Sequence, residues 1–332
     1  MTVKPNHAPY VHTEKTTLSH AAEWSVALVP MIIWSVYMFG ARVITICAVC
    51  ALLSMGLDFP VRRFLLKRKG IAQFDAMAGI YGVLTAFMMP VSAPLWLPMI
   101  GAVLVVVAKN IRLFRAKLLF NPFVFSAAMI NLFFKSQMSA FTRPFAYFNA
   151  FSFSIDERLI DGYRVISPLQ YMADGSVYED GVLAQLYGFA SGNIGEIAVT
   201  CMIISLIWLC ARKEGDWRGT VAYLVPVLLL ALAFPSDDAE SEYYAYSMLL
   251  SGAVCFLAVF ATNERQTVPI TSLGRLIFGA VCGSATFFLH RYAGGFEWGY
   301  FVVLVMNILS PFIEMLTKPK AIGAREDKVL NK

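Results

Sequence analysis

Ten apolar runs recur along the chain, near 22–40, 42–58, 73–90, 94–109 and 119–135, then near 195–211, 219–234, 245–262, 274–290 and 297–316. A helix that crosses a bilayer needs about 20 apolar residues, and these runs approach that length. They come as five, a polar segment over 136–190, then five more. The pattern predicts an all-α polytopic membrane protein of about ten transmembrane helices. An odd number of crossings per half puts equivalent helices in opposite orientation, so two inverted five-helix halves are expected. A short internal echo points the same way: Ala78-Gly79 and Ser251-Gly252 open the third run of each half, and those runs end at Pro90 and Asn263. The expected division is an amino-terminal segment 1–21, a first half 22–135, a loop 136–194, a second half 195–316 and a tail 317–332.

Charge orients this arrangement. Of 27 lysines and arginines, all but Arg42, Lys135, Arg143, Arg158, Arg164 and Arg291 fall in the two termini or in alternate connections. Cytoplasmic segments collect Lys and Arg, so both termini are expected in the cytoplasm and the 136–194 loop outside. The acids Asp237, Asp238, Glu240 and Glu242 sit in another outer connection. The net charge of +5 therefore meets the anionic inner leaflet, and nucleic acid is not an expected partner. Composition agrees: 58% of residues are hydrophobic and 15% charged, against about 25% charged in soluble domains. The first 20 residues are polar, so no cleavable signal peptide is expected.

Little in the chain suggests chemistry of its own. All six cysteines lie in apolar runs, which argues against a disulfide framework. Cys47-Ala-Val-Cys50 has metal-ligand spacing but reads as helix packing. His7, His12, His20 and His290 are scattered, and there is no nucleotide-binding glycine motif. Small-residue pairs (Gly79 and Gly82, Gly192 and Gly195, Gly279 and Gly283) read as close helix contacts, or as bare backbone against a flat cofactor or ion path. Asp75 and Glu196 stand at run edges, as capping or functional carboxylates. Lys109 and Arg275 read as snorkelling anchors. Asn121-Pro122 is placed to cap or break a helix, and Asn307 with Pro311 predicts a kink facing protein. In the outer loop, Asp161-Gly162-Tyr163-Arg164-Val165-Ile166-Ser167-Pro168-Leu169 offers a hydroxyl that is either a turn residue or an attachment point.

Several of these residues carry a family resemblance. The run Gly274-Arg275-Leu276-Ile277-Phe278-Gly279, followed by Gly294-Gly295, Glu297, Gly299, Asn307, Pro311, Ile313-Glu314 and Thr317-Lys318-Pro319, resembles the RnfD/NqrB family. Leu249-Leu250-Ser251-Gly252-Ala253, Phe120-Asn121-Pro122, Asp75, Gly195-Glu196 and Pro9-Tyr10-Val11-His12 extend the likeness over nearly the whole chain.

The resemblance implies a membrane electron-transfer subunit of an Rnf-like ferredoxin:NAD oxidoreductase in a bacterial inner membrane, coupling electron flow to Na⁺ or H⁺ translocation. It implies FMN joined by a phosphoester in a motif like Asp-Gly-x-x-x-Ala-Thr-Pro-Leu. Asp161, Gly162, Pro168 and Leu169 match, Ser167 takes the threonine position, and Ile166 replaces the alanine. A phosphoester needs only an alcohol oxygen, which serine has. Noncovalent riboflavin is a further expectation, with Asp75, Asn121, Glu196 and Asn263 as candidates for that flavin or for the ion path. Asn263 replaces the family's aspartate, and 113–119 departs from its glycine-rich stretch. Implied partners are an RnfG-like flavoprotein, RnfA- and RnfE-like membrane subunits, an RnfC-like NAD-binding subunit and a flavin transferase. The alternatives are an NqrB-like quinone-reductase subunit, a urea-transporter-like solute channel, and a member that has lost its flavin.

Overall fold

Helix occupies all ten apolar runs. The computed structural model describes residues 17–65, 75–113, 117–145, 167–173, 181–197, 199–235, 241–294 and 296–318. The first five runs give α1 (Thr17–Phe39), α2 (Arg42–Pro60, continued by a π-helical turn Val61–Leu65), α3 (Ala76–Phe87), α4 (Trp96–Asn110) and α5 (Pro122–Phe133). Short helices α6 (Lys135–Met138), α7 (Pro168–Ala173) and α8 (Gly181–Tyr187) follow. The second set is α9 (Val199–Ala211), α10 (Trp217–Ala233), α11 (Ser241–Leu250), α12 (Val254–Phe256, continued by a π-helical turn Leu257–Ala261), α13 (Ser272–Tyr292) and α14 (Gly299–Thr317). The described strands are a two-residue antiparallel pair, Arg112–Leu113 with Lys117–Leu118.

Local sequence sets the helix starts. Asp75, Asp216 and Thr271 each accept a backbone N–H from the first turn of α3, α10 and α13. Pro122 stands at the start of α5, where the missing N–H costs nothing. Asn121 precedes it without a capping bond from its side chain.

Four helices (α1, α2 with its π turn, α13 and α14) are long and apolar enough to cross a membrane, and the α11–α12 pair makes a fifth if counted as one span. The run at 245–262, expected as one continuous helix, is bent by 61° between these two pieces. Ser251-Gly252 therefore lies at the break and does not open the span. Gly252 explains the bend. Its φ of +56° is a conformation that L side chains rarely adopt.

Helices α3, α5 and α9 have only 12 or 13 residues, about 18–20 Å at 1.5 Å per residue. Their paths continue as non-helical backbone, at 88–93 after α3 and at 190–197 before α9, where every residue is buried. Irregular backbone at membrane depth is tolerated where protein surrounds it. The second segment donates to the first and to the end of α3: Ile194 N to Met89 O (2.9 Å) and Gly195 N to Phe87 O (2.8 Å). A Cβ on Gly195 would stand 2.5 Å from Phe87 Cβ, so only glycine permits this approach.

The core is aromatic where the two sets of helices meet. Phe256 contacts Phe87, Phe123 and Phe260 with ring centroids 6.4, 6.2 and 4.9 Å away, and Phe260 meets Trp24 at 6.1 Å. Across the same junction α1 packs on α9, and α5 on α14. Within the sets, α2 packs on α3 and α4, as α10 packs on α11 and α13. Large apolar side chains such as Ile33, Leu52, Ile207, Leu229 and Val305 point outward. A surface of this kind suits lipid contact and would be a liability in water.

Candidate functional site

Ser167 lies at the start of α7. Its Oγ accepts from Gln170 N at 3.4 Å, and its own N–H donates to Gln170 Oε1 at 3.1 Å. That reciprocal pair is a capping box, with Pro168 at the first helical position. Ser167 is 7% exposed and Leu169 is buried. The short helix packs against α11 and α13. Asp161, Gly162 and Ile166, the rest of the expected motif, lie outside the described residues. The capping bond to Oγ is long, so the oxygen is not committed to a strong partner. An alcohol oxygen held at a fixed helix start fits a phosphoester linkage.

Glu196 belongs to a buried polar cluster at the central junction. Its Oε1 accepts from Tyr300 Oη (2.6 Å) and its Oε2 from Asn193 Nδ2 (2.8 Å). One turn before Tyr300, Glu297 Oε2 accepts from Ala253 N (3.3 Å), a backbone donor freed by the α11–α12 break. A Cβ on Gly252 would stand 2.5 Å from Glu297 Oε1. His290 Nε2 is 3.9 Å from Glu297 Oε2, too far for a hydrogen bond. Tyr300 lies 104 residues from Glu196, so no local spacing signals this group.

The other expected residues separate. Asp75 caps α3 and pairs with Lys109 Nζ at 2.7 Å and Arg62 Nη1 at 3.9 Å. Lys109 also binds Asp58 at 2.9 Å; Asp58, fully buried, also forms an ion pair with Arg62 (Nε at 2.7 Å) and accepts from Asn110 Nδ2 (3.2 Å). Lys109 is thus an internal ion-pair partner, not a snorkelling anchor. Arg275 is likewise held, by Asp216 Oδ2 at 3.0 Å and the Pro269 carbonyl. Burial raises the Asp75 carboxyl, but Lys109, the Met77 N–H and Arg62 outweigh it and hold it below the usual range.

Asn263 is a structural crosslink. Its Oδ1 accepts from Asp216 N (2.6 Å), and its Nδ2 donates to Val259 O (2.7 Å) and Thr220 Oγ1 (3.2 Å). An aspartate could not donate either of the last two. Asn121 is the opposite case: fully buried, with neither amide atom hydrogen-bonded. Asn307 is buried on α14 and so faces protein, as expected, but both of its amide atoms are unpaired. Pro311, four residues on, also removes the N–H that its carbonyl would accept. Among the described residues no hydrogen bond or ion pair joins any two of Asp75, Asn121, Glu196 and Asn263. Cys47, Cys50 and the other cysteines are free, and Cys50 Sγ donates to Pro98 O (3.3 Å).

Known relatives match along almost the whole length. The D subunit of the Na⁺-translocating ferredoxin:NAD⁺ oxidoreductase complex of Acetobacterium woodii is 25% identical over 97% of this chain and 95% of its own. The D subunit of the ion-translocating oxidoreductase complex of Aeromonas salmonicida is 26% identical over 96% and 98%, and that of Methanosarcina acetivorans 25% over 95% and 96%. Residues 4–323 match one family model throughout, and the chain belongs to the NQR2, RnfD, RnfE family.

Proposed function

We propose that this chain is a D-type subunit of an Rnf-like ion-translocating ferredoxin:NAD oxidoreductase, with FMN esterified to Ser167. The carrying observation is the position of Ser167. It stands where the family motif has its acceptor hydroxyl, and it starts a short helix seated on the α11–α13 pair. The group, when bound, supplies one-electron redox chemistry. The chain holds the acceptor oxygen at the start of α7, which packs on the α11–α13 pair. Asn121, with a buried and unpartnered amide, is the residue best placed to hold a second, noncovalent flavin such as riboflavin. The bound ring's carbonyl and N–H edge would complete the amide.

Ten crossings in two inverted halves, with both termini cytoplasmic and the 136–194 loop outside, fit the matched helix contacts of the two sets. The membrane is then a bacterial inner membrane. The partners are the RnfG-, RnfA-, RnfE- and RnfC-like subunits, and a flavin transferase attaches the FMN. The relatives named as D subunits are covered over 95–98% of their own lengths, which favours this reading over an NqrB-like protein.

The test is in-gel flavin fluorescence of the denatured chain, purified from cells that contain the transferase. Fluorescence is expected in the wild type and in Ser167→Thr, and its loss in Ser167→Ala. A dark wild type, or a fluorescent Ser167→Ala, would overturn the covalent assignment.

A further inference from the structure

Residues 181–194 carry no charged side chain, although they belong to the segment expected to lie outside the membrane. The end of α8 is closed without water. Gly188, at a φ of +86°, donates its N–H to Gln185 O (3.3 Å), and Phe189 N donates to Ala184 O (2.8 Å). These two bonds form a Schellman motif and meet carbonyls that a helix end otherwise leaves to solvent. The Tyr187 carbonyl accepts from Trp34 Nε1 of α1 at 3.0 Å. Gln185, the buried residue of α8, turns inward to Ser247 Oγ of α11 (3.3 Å). A Cβ on Gly188 would stand 2.5 Å from Ile197 O, so the turn is pressed against the bundle.

Trp34 sets the depth of this turn. It precedes Phe39, the last residue of α1, by five residues, about 7–8 Å along the helix axis. A helical side chain leans toward the N-terminus of its helix, so the indole reaches deeper still. Residues 187–189 are thus held below the end of a helix long and apolar enough to cross a membrane. Their outward side is apolar. Leu183 is 69% exposed, and Tyr187 and Phe189 are exposed beside it. An open groove of about 470 Å³ is lined by Leu183, Ala184, Tyr187 and Phe189. From its edge a row of rings runs from Phe189 to Phe145 (6.2 Å), on to Tyr37 (5.3 Å) and to Trp34 (5.6 Å). The row ends on the outward face of α1, where Ile33 and Tyr37 are exposed.

We propose that α8 is an in-plane interfacial helix docked in the outer leaflet, and that its groove takes an acyl chain of an outer-leaflet phospholipid. Continuity with the outward face of α1 and the depth set by Trp34 select lipid as the occupant. Interfacial helices bury their apolar side about 5–10 Å into the headgroup–acyl boundary, which agrees with that depth. Aromatic rings such as Tyr37, Phe145, Tyr187 and Phe189 suit the same layer. Helix α8 packs on α9 and α11, and α11 also supports α7, so the lipid contact and the Ser167 hydroxyl share one supporting helix. The inference goes beyond the function proposed above and takes from it only which leaflet is the outer one.

The test is electron paramagnetic resonance of the purified full-length chain in vesicles of phosphatidylethanolamine and phosphatidylglycerol. Spin labels are placed on Leu183→Cys and, separately, on Ile33→Cys as a lipid reference and Gln266→Cys as a water reference, all in a Cys210→Ser background. At position 183 collisions with a water-soluble nickel chelate should be lost and collisions with dissolved oxygen retained, as at 33 and opposite to 266. Phe189→Cys reads the other wall of the groove and should agree, which covers a failure of Leu183→Cys to fold. A label at 183 or 189 as open to the nickel chelate as at 266 would overturn the proposal and make the groove a water-facing surface for a protein partner. A label closed to both reagents would also overturn it, because protein then fills the groove. The measurement does not involve flavin, so a dark Ser167 and a failed lipid contact are separately visible.

Discussion

Asp58 and Asp75 share Lys109 and Arg62 but differ in burial, and that difference sets what each contributes. Asp58 is completely enclosed, whereas the Asp75 side chain keeps 27% of its surface. Removing one partner of a buried ion pair strands the other charges, at a cost of roughly 3–5 kcal/mol. Thermal unfolding in detergent should therefore show Asp58→Asn strongly destabilised. Asp75→Asn should lose about 1 kcal/mol or less, because solvent screens the pair and asparagine still caps α3. The Asp75 carboxyl is held below its ordinary value, so its contribution is complete above about pH 5 and is lost as pH falls through the folded-state value. The stability gap between wild type and Asp75→Asn should close on acidification; a gap that widens would contradict the pairing. Sequence leaves Asp75 as a cap or a functional carboxylate at a run edge, and it caps α3. It did not show Lys109 as a partner, because the pairing with Asp58 crosses 51 residues. A lone lysine at a span end looks the same whether it reaches toward lipid headgroups or toward a buried acid.

Helix positions were legible because an apolar run is a property of the local chain. The α11–α12 break was not, since Ser-Gly inside an apolar run also suits a straight, closely packed helix. The bend goes with the positive φ of Gly252, and the N–H that it frees on Ala253 is met by Glu297, 44 residues further along the chain. The sequence leaves the glycine pairs as close contacts or as bare backbone against a cofactor or ion path; Gly82, Gly279 and Gly283 are close contacts, whereas a Cβ on Gly79 would meet only ordinary neighbours, the nearest at 3.6 Å. A Cβ on Gly82 would meet Cys50 O at 2.5 Å, joining α2 to α3, and one on Gly279 would meet Gly219 O at 2.6 Å, joining α10 to α13. On Gly283 it would overlap the Tyr223 carbonyl, whereas Gly56 has open space around it. Gly283→Ala should thus force α10 and α13 apart and cost about 1–3 kcal/mol. Gly56→Ala should be neutral or stabilising by up to roughly 1 kcal/mol, since it only restricts the unfolded chain. Equal melting temperatures for the two variants would contradict the packing described for the α10–α13 contact.

At the scale of the whole molecule, the two sets of helices meet through equivalent partners, α1 on α9 and α5 on α14, around Phe256. The halves also meet where Gly195, from the segment before α9, donates its N–H to the Phe87 carbonyl at the end of α3. Such mutual burial fits two inverted units that fold as one body, and the charge alternation in the sequence then orients it. That orientation is testable because the protein supplies its own low background. Five of its cysteines are buried and the sixth, Cys210, is only partly exposed. Arg143 and Gln266 are both exposed, on opposite sides of the proposed membrane. In intact cells a membrane-impermeant maleimide should label Arg143→Cys and leave Gln266→Cys unmodified until the membrane is permeabilised. Sonicated inverted vesicles should give the reverse pattern. Labelling of both positions from one side would break the ten-crossing alternation and, with it, the placement of Ser167 outside and of Asp58, Asp75 and Lys109 at the cytoplasmic end.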